Sequence, residues 1–296
     1  MSDAEPVLLL QAWLKRQAAA DAMNWLQGRL EDLRASPSLR DLQIAMGLAP
    51  RKLGKDDLQL SESDLADASA ARRGWDPRGW TVDEAARVLA LLAFGTAAPQ
   101  DLARTFVQLC RTADVGEAVA LYRGLPLYPD QEQLEGQAAE GLRSNMRAVF
   151  EAVAHRSPYP RERFGRDRWN QMILKALFVG SALAPIQGLD ERANAELAAI
   201  LRDYAHERWA AGRPVSPELW RCVGPFAEGD MLADLERVAR SSDPRERAAA
   251  ALALSASGAP GTKELLALLP DEAAAIRSGS LTWDTLESSI GQEETA

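Results

Sequence analysis

The stretch TVDEAARVLALLAFG, residues 81–95, decides the fold class of this chain. Thr81 is followed three residues later by Glu84, and a run dominated by apolar residues then extends from Ala85 to Phe94. A threonine and a glutamate at this spacing can bond each other's backbone N–H groups, which starts a helix. Gly95 stands where a glycine commonly ends one. The stretch therefore predicts a helix that begins after Thr81 and ends at Gly95.

Similar start signals recur along the chain, at 114–117, 216–218 and 243–246. The first is an aspartate followed three residues later by a glutamate. The other two place a serine or an aspartate directly before a proline, which suits the first helical position. Ala and Leu dominate the composition, whereas the β-branched residues that favour strands are sparse. These patterns predict an all-α protein, built as an irregular stack of antiparallel helices.

The C-terminal third of the chain has a character of its own. An amphipathic segment, an Asp243–Pro244 turn and an Ala-rich segment follow one another, as in a HEAT-like unit that stacks beside its neighbours. We expect a single all-helical domain over 1–290, followed by a polar tail over 288–296 that frays. Within the domain we expect N-terminal helices at 5–110, a central motif region at 115–226 and the HEAT-like unit at 228–270.

Composition excludes several classes of protein. The chain has 296 residues, with 34 Lys and Arg against 43 Asp and Glu, so its net charge of −9 disfavours nonspecific nucleic-acid binding. No stretch approaches the roughly 20 apolar residues that span a membrane, and acidic residues precede the first apolar run, unlike a secretory signal. The only two cysteines, Cys110 and Cys222, fit a reducing compartment. We therefore expect a cytoplasmic protein.

Common catalytic signatures are missing from the sequence. There is no Gly-x-Ser-x-Gly elbow and no glycine-rich phosphate loop. Asp203 precedes His206 by three residues, a spacing found in carboxylate-bridged di-metal bundles, but such sites need a second pair, and His155 has no acid three residues before it. We predict no metal site, expect His206 to be a hydrogen-bonded structural histidine, and assign no cofactor.

The segment DRWNQMILKALFVG, residues 167–180, has the spacing of an amphipathic helix. Its apolar stripe runs from Trp169 to Leu177, with Asn170 at the edge and Lys175 on another face. Such a helix can be a core helix with a solvated lysine, or it can present the lysine and two amides to an internal cavity. Spacing alone favours the first interpretation.

The segment RPVSPELWRCVGPF, residues 213–226, leaves two interpretations open. Trp220 and Arg221 stand side by side, with Trp209 close upstream. This pattern suits cation–π stacking or anion recognition, and it equally suits a core tryptophan beside a surface arginine. Separately, two breaks between helices are predicted at 72–79 (RRGWDPRG), with Trp75 and Trp80 nearby, and at 156–166, which is rich in Arg, Pro and Tyr.

Six phrases within residues 140–230 carry a resemblance to a known family. They are NMRAVFEAVA (145–154), SPYP (157–160), WNQMILKALFVG (169–180), GLDERAN (188–194), DYAHERWAAGR (203–213) and SPELWRCVGPF (216–226). Together they resemble the EboA-domain family, and the flanking sequence agrees only loosely. The resemblance implies a bacterial protein encoded beside enzymes of secondary metabolism, in a pathway linked to the export of a precursor. It implies no assigned reaction.

The phrases also indicate which residues to test as a site. As ligand-binding residues we select Arg143, Asn145, Trp169, Asn170, Asp190, Arg192, Asn194, Arg208, Arg213 and Trp220. As catalytic candidates we select His206, Glu207 and Lys175. A set this rich in Arg, Asn and Trp suits an anionic, partly apolar ligand such as a phosphorylated or prenylated metabolite.

Three functions from different classes remain open at this point. The first is a helical accessory protein that binds and presents an intermediate of the pathway. The second is an enzyme with a buried polar pocket, in which His206 or Glu207 moves a proton while Lys175 or Arg192 holds charge. The third is a scaffold that docks other enzymes of the cluster and exposes an apolar patch on its C-terminal helices. Helical stacks without a catalytic signature favour the first.

Overall fold

The computed structural model describes residues 4–286, and its regular structure is helical throughout. No β-strand occurs in this range; Asp57 and Thr81 form one isolated bridge. The prediction of an all-α fold is confirmed. None of the helices between residues 4 and 286 is both long enough and apolar enough to cross a membrane. The tail predicted at 288–296 lies outside the described residues.

The chain divides into two compact units, the first ending at Arg168 and the second beginning at Trp169. The helices of the first unit are α1 (Ala4–Gln17), α2 (Ala20–Ala35), α3 (Leu39–Leu53), α4 (Glu62–Ala71), α5 (Val82–Ala97), α6 (Leu102–Thr112), α7 (Val115–Arg123), α8 (Glu135–Arg143), α9 (Arg147–Ala154) and α10 (Tyr159–Arg163). Helix α11 (Arg166–Phe178) contains the boundary. The second unit continues with α12 (Ala195–Ala210), α13 (Leu219–Val223), α14 (Asp230–Ala239), α15 (Pro244–Ala256), α16 (Thr262–Leu266) and α17 (Pro270–Ser278). The single domain over 1–290 stays a prediction.

Helix α5 is the centre of the first unit. Its residues from 82 to 95 are buried, and α1, α2, α3 and α7 pack against it. The backbone N–H of Thr81 donates to Glu84 Oε2 over 3.1 Å, which confirms the predicted start. The predicted end is wrong, because Gly95 lies inside the helix and Ala98 caps it. A Cβ on Gly95 would lie 3.1 Å from the Leu102 side chain, so close packing rather than helix termination explains this glycine.

The other predicted helix starts differ in outcome. Asp114 accepts from the Glu117 N–H over 2.8 Å, and Asp243 accepts from the Arg245 N–H over 2.8 Å, so both starts are confirmed. The predicted cap at Ser216 is wrong, because α13 begins only at Leu219. The Ser216 carbonyl instead accepts the Leu219 N–H in a tight turn.

Helix α15 is the centre of the second unit. Its alanine-rich stretch from 248 to 254 is buried, and α13, α14, α16 and α17 pack against it. Small side chains let other backbones approach closely. At Gly224 the approach is so close that a Cβ would lie 2.7 Å from the Ala253 Cα and carbonyl oxygen. The HEAT-like character of the segment over 228–270 stays a prediction.

Two arginine–aspartate pairs hold helices of the first unit. Arg87 donates from Nη1 to Asp83 Oδ2 over 2.8 Å and from Nε to the Met46 carbonyl over 3.1 Å. Only 4% and 5% of these two charged side chains is exposed, so the pair is a fully buried ion pair. Near α4, Arg16 donates to both oxygens of buried Asp64, over 2.9 and 2.7 Å.

The Arg16–Asp64 pair predicts an acid-sensitive contribution to stability. The hydrogen bonds from Arg16, with further ones from Ser61, hold the pKa of Asp64 well below its usual value. A depressed folded-state pKa stabilises the protein above the unfolded-state pKa, and this stability is lost as pH falls through the folded value. We expect Arg16→Ala to lower the free energy of unfolding by about 1 kcal/mol near neutral pH, because Arg16 is half exposed and screened. In urea unfolding the difference from wild type should shrink between about pH 5 and about pH 3; a constant difference would contradict it.

Both cysteines are sequestered by the fold. Cys222 is buried in α13, and Cys110 is partly buried in α6. Burial raises the pKa of each thiol to about 12. Neither thiol is therefore activated for nucleophilic chemistry.

Candidate functional site

The sequence-selected residues fall on both units. Arg143 and Asn145 belong to the first unit, where both are exposed and Arg143 forms an ion pair with Glu140. The others belong to the second unit. There Glu207 and Arg213 are exposed, whereas Trp169, Asn170 and Trp220 are buried.

An amide pair joins α11 to the start of α12. Asn194 donates from Nδ2 to Asn170 Oδ1 over 2.9 Å, and Asn170 donates back over 3.3 Å. Asn194 Oδ1 also accepts the Leu197 N–H over 2.9 Å, which caps α12. Asn170, predicted at the edge of the apolar stripe, is only 2% exposed. The two amides bind each other, so they form a structural clasp between the helices.

Helix α11 shows the predicted stripe beside this clasp. Trp169, Met172, Ile173, Ala176 and Leu177 are all buried. Arg192 stacks over the Trp169 ring, with its guanidinium carbon 4.6 Å from the ring centroid. Burial lowers the pKa of both Arg192 and Lys175. The structure therefore brings together four selected residues: Trp169, Asn170, Arg192 and Asn194.

The clasp predicts different consequences for two asparagines that the same resemblance selects. We expect Asn170→Ala to lower the free energy of unfolding by about 2 kcal/mol, because it removes a buried side chain together with both of its hydrogen bonds to Asn194. Asn145→Ala, at an exposed position, should change stability by less than about 0.5 kcal/mol. Urea unfolding of both variants measures the difference. Equal losses of unfolding free energy in the two variants would show that the clasp does not stabilise the fold.

His206 pairs with a residue outside the sequence motifs. Its Nε2 lies 2.8 Å from Asp234 Oδ1 on α14, while Arg202 Nε donates to Asp234 Oδ2 over 2.6 Å. Asp203, the partner that helical spacing suggested, makes no hydrogen bond to His206. The expectation of a hydrogen-bonded histidine agrees with this contact, and the imidazole keeps 48% of its surface exposed.

Aromatic rings continue from His206 into the core of the second unit. The His206 ring centroid lies 5.4 Å from that of Trp209, and Trp209 stacks on Trp220 at 5.8 Å. Arg237 covers Trp209 with its guanidinium carbon 4.2 Å from the ring centroid. Trp220 is 1% exposed and is a core residue, whereas Arg221 beside it is only 14% exposed and is not the surface arginine of that interpretation.

Two other selected residues of this unit, Asp190 and Arg208, bond to neighbouring segments. Arg221 donates to both oxygens of Asp190, over 2.7 and 2.8 Å, and this lowers the pKa of Asp190. Arg208 donates from Nε to the Pro214 carbonyl over 3.0 Å. Glu218 caps the backbone N–H groups of Leu183 and Ala184. These groups stabilise loops of the second unit.

The first unit contains a cavity that sequence reasoning missed. It lies among the loop before α5, the end of α7, and the end of α9 with the bend that follows. Its volume is about 80 Å³. The lining residues are Trp75, Asp76, Arg78, Trp80, Arg123, Glu151, His155, Arg156 and Ser157. This volume counts the space open to the centre of a water-sized sphere, and one water needs roughly 10–15 Å³ of it. The cavity therefore has room for a small charged group rather than a whole metabolite.

The charged residues of this cavity are partly paired with one another. Arg78 donates from Nε to Asp76 Oδ1 over 2.9 Å and from Nη2 to Oδ2 over 2.6 Å. Arg123 donates from Nη1 to Glu84 Oε2 over 2.6 Å and to the Gly79 carbonyl over 2.5 Å. Each guanidinium carries five N–H groups, and these bonds use only some of them. The pairing therefore fixes the position of both arginines and leaves N–H groups that can still donate to a ligand.

Trp75 has an unsatisfied donor at this cavity. Its ring is 2% exposed, and its indole N–H has no hydrogen-bond partner within residues 4–286. Because this nitrogen is itself inaccessible to a water-sized molecule, it is a buried unsatisfied donor beside the cavity and does not face the open space. The cavity can bind an anion through its arginine N–H groups.

Sequence signals for this cavity were present but weak. Trp75 and Arg78 come from the loop over 72–79, and Arg156 and Ser157 begin the loop over 156–166. Both loops combine Arg with aromatic residues, yet nothing in their spacing shows that they meet. Arg123 closes an ordinary amphipathic helix. Asp234 likewise lies outside the motif region, 28 residues after His206.

Comparison with known proteins adds a family. A family model described as "Metabolite traffic protein EboA" matches residues 7–224. This range contains both the arginine cavity and the asparagine clasp, whereas Asp234 and Arg237 lie beyond it. No curated protein and no solved structure matches the chain.

Proposed function

The chain belongs to the EboA family of metabolite traffic proteins, and from this premise we propose that it binds an anionic or prenylated intermediate of secondary metabolism and passes it on. In this proposal it is a helical accessory protein, acting in the cytoplasm on a pathway of biosynthesis or precursor export. A traffic protein needs a binding site and no reaction. The other enzymes encoded with it are the partners to which the metabolite would pass.

One observation supports this function most directly, the cavity lined by arginines and tryptophans in the first unit. Three arginines, Arg78, Arg123 and Arg156, supply donors for an anionic group. The volume fits that group alone, so the rest of the metabolite would lie outside the cavity, accessible to a receiving partner. A binding mode that holds one end of a ligand suits transfer.

The experiment is mass spectrometry of the protein purified from its own host, under native and denaturing conditions. We expect an excess mass on the native chain that leaves on denaturation. Arg78→Ala should reduce the occupied fraction, because Arg78 lines the cavity. Arg104→Ala serves as the matched control, since Arg104 is exposed, pairs with nearby Asp101 and does not line the cavity. A native mass equal to the bare chain, or equal occupancy in both variants, would contradict the proposal.

The contact between His206 and Asp234 favours an enzyme as the second candidate. A carboxylate bonded to an imidazole orients it for proton transfer. Lys175 and Arg192 would hold charge in that case, with Glu207 as the other acid or base. Loss of the cluster's product on His206→Asn, with retention of the bound mass, would favour this candidate over transport.

The scaffold alternative has less support. Large apolar side chains exposed within residues 4–286 are scattered along the chain: Leu8, Ile44, Val115, Met146, Phe178 and Leu268. Of these only Leu268 lies in the C-terminal helical segment. Single exposed apolar residues are ordinary on a protein surface.

A further inference from the structure

Arg156 has an unusual backbone conformation for its residue type. Two non-glycine residues in the described part of the chain have positive φ angles, Asp130 at 50° and Arg156 at 49°. Aspartate enters this left-handed region readily because its short side chain can bond locally, whereas a long side chain such as arginine does so rarely. Strained residues of this kind cluster at binding sites, where the surrounding structure fixes them.

The contacts that Arg156 makes within the protein do not explain the strain. Its Nε lies 3.9 Å from Asp76 Oδ2, which is beyond hydrogen-bond distance. Its guanidinium makes no hydrogen bond to any other described residue, and 46% of the side chain is exposed. Yet Arg156 lines the arginine cavity. A strained backbone therefore holds an arginine with weak internal contacts at the wall of this cavity.

The donors around the cavity come from separate segments of the chain. Arg78 contributes guanidinium N–H groups from the loop before α5, and Arg123 contributes its own from the end of α7. Arg156 and the buried Ser157 follow α9. The Ser157 oxygen accepts the Tyr159 N–H, which leaves the hydroxyl proton to donate. Donors spread over several segments suit a tetrahedral group with three terminal oxygens better than a planar carboxylate with two.

We propose that the cavity binds the phosphate group of a phosphorylated metabolite, and that Arg156 is held in its left-handed conformation to contact that phosphate. This rests on the proposed function, since it names the ligand class of the same cavity. Arg156 is then a binding residue whose conformation is built into the unliganded fold. Because no rearrangement of its backbone is needed, the site is preorganised for the anion.

The test reads the backbone strain and the guanidinium contact with two different measurements, the melting temperature and the phosphate affinity. Arg156→Gly removes both, so the melting temperature should rise by about 2 °C while phosphate binding weakens at least tenfold. Asp130→Gly is the matched control, because it changes the other left-handed residue, which does not line the cavity. It should melt within about 1 °C of wild type and bind phosphate as wild type does. Isothermal titration of the full chain with inorganic phosphate, pyrophosphate and acetate measures the affinities.

Several results would overturn the proposal. Unchanged phosphate affinity in Arg156→Gly would show that Arg156 is not a contact. A lower melting temperature in this variant would show that the left-handed arginine serves the fold. Acetate binding as tight as phosphate binding would reject the ligand class. If wild type binds neither phosphate nor pyrophosphate but carries a bound mass from its host, the phosphate assignment fails and the proposed function stands.

Discussion

Replacing Arg87 by methionine should lower the free energy of unfolding by about 3–5 kcal/mol, the largest effect that we expect from a single charge removal in this protein. Methionine retains much of the apolar stem, so the loss reports the charge rather than a void. Arg87→Met leaves Asp83, 5% exposed, as an uncompensated buried carboxylate, and it leaves the Met46 carbonyl without its donor. Urea unfolding followed by circular dichroism measures the change.

Two further variants make the Arg87 result specific. Arg104→Met removes an arginine from an exposed pair with Asp101, and it should change stability by less than about 0.5 kcal/mol. Replacing both Asp83 and Arg87 by apolar residues should recover much of the lost stability, because no unpaired charge then remains. If Arg87→Met were as mild as Arg104→Met, the buried pair would not be the strong constraint that its geometry implies.

Gly224→Ala should lower the free energy of unfolding by about 3 kcal/mol. The added methyl group would lie 2.7 Å from both the Cα and the carbonyl oxygen of Ala253, which are backbone atoms of α15. A flexible side chain could move away, but here the backbone at Gly224 and the backbone of α15 must separate. The φ angle of Gly224 is −47°, which any residue adopts, so the loss of stability comes from the steric clash and not from backbone strain.

Two variants serve as controls for Gly224. Gly28→Ala, inside α2 with nothing within 4 Å of the new methyl group, should gain about 0.5–1 kcal/mol from helix propensity. Ala253→Gly should not rescue Gly224→Ala, since the atoms that clash are backbone atoms. A rescue, or an equal effect at residues 28 and 224, would contradict close backbone packing at Gly224.

The parts of the fold that the sequence predicts are the local ones. Thr81 with Glu84 and Asp114 with Glu117 bond within a single helical turn, so spacing alone was enough. Gly95 was misinterpreted because a glycine that admits a neighbouring helix has the same sequence signal as one that ends a helix. The Ser216 cap failed because a turn precedes α13, and the Glu218 carboxylate is used by the Leu183 and Ala184 N–H groups instead.

The candidate site was less predictable, because it depends on contacts between distant segments. Residues 75 and 156 line one cavity although 81 positions separate them, and no periodicity relates one loop to the other. The family phrases did select residues that meet, such as Asn170 and Asn194, but these meet to clasp two helices. Residues selected through a resemblance can serve packing as well as binding, and only the folded structure separates the two roles.

The sequestered thiols make the protein well suited to fluorescence spectroscopy. A thiol whose pKa is about 12 exists as thiolate in only about one molecule in 10⁵ near neutral pH, and maleimide dyes react with the thiolate. Met146→Cys, at a position that is 51% exposed, would supply one reactive thiol, while the two native thiols react slowly. A single dye can then be attached at this position without removal of either native cysteine.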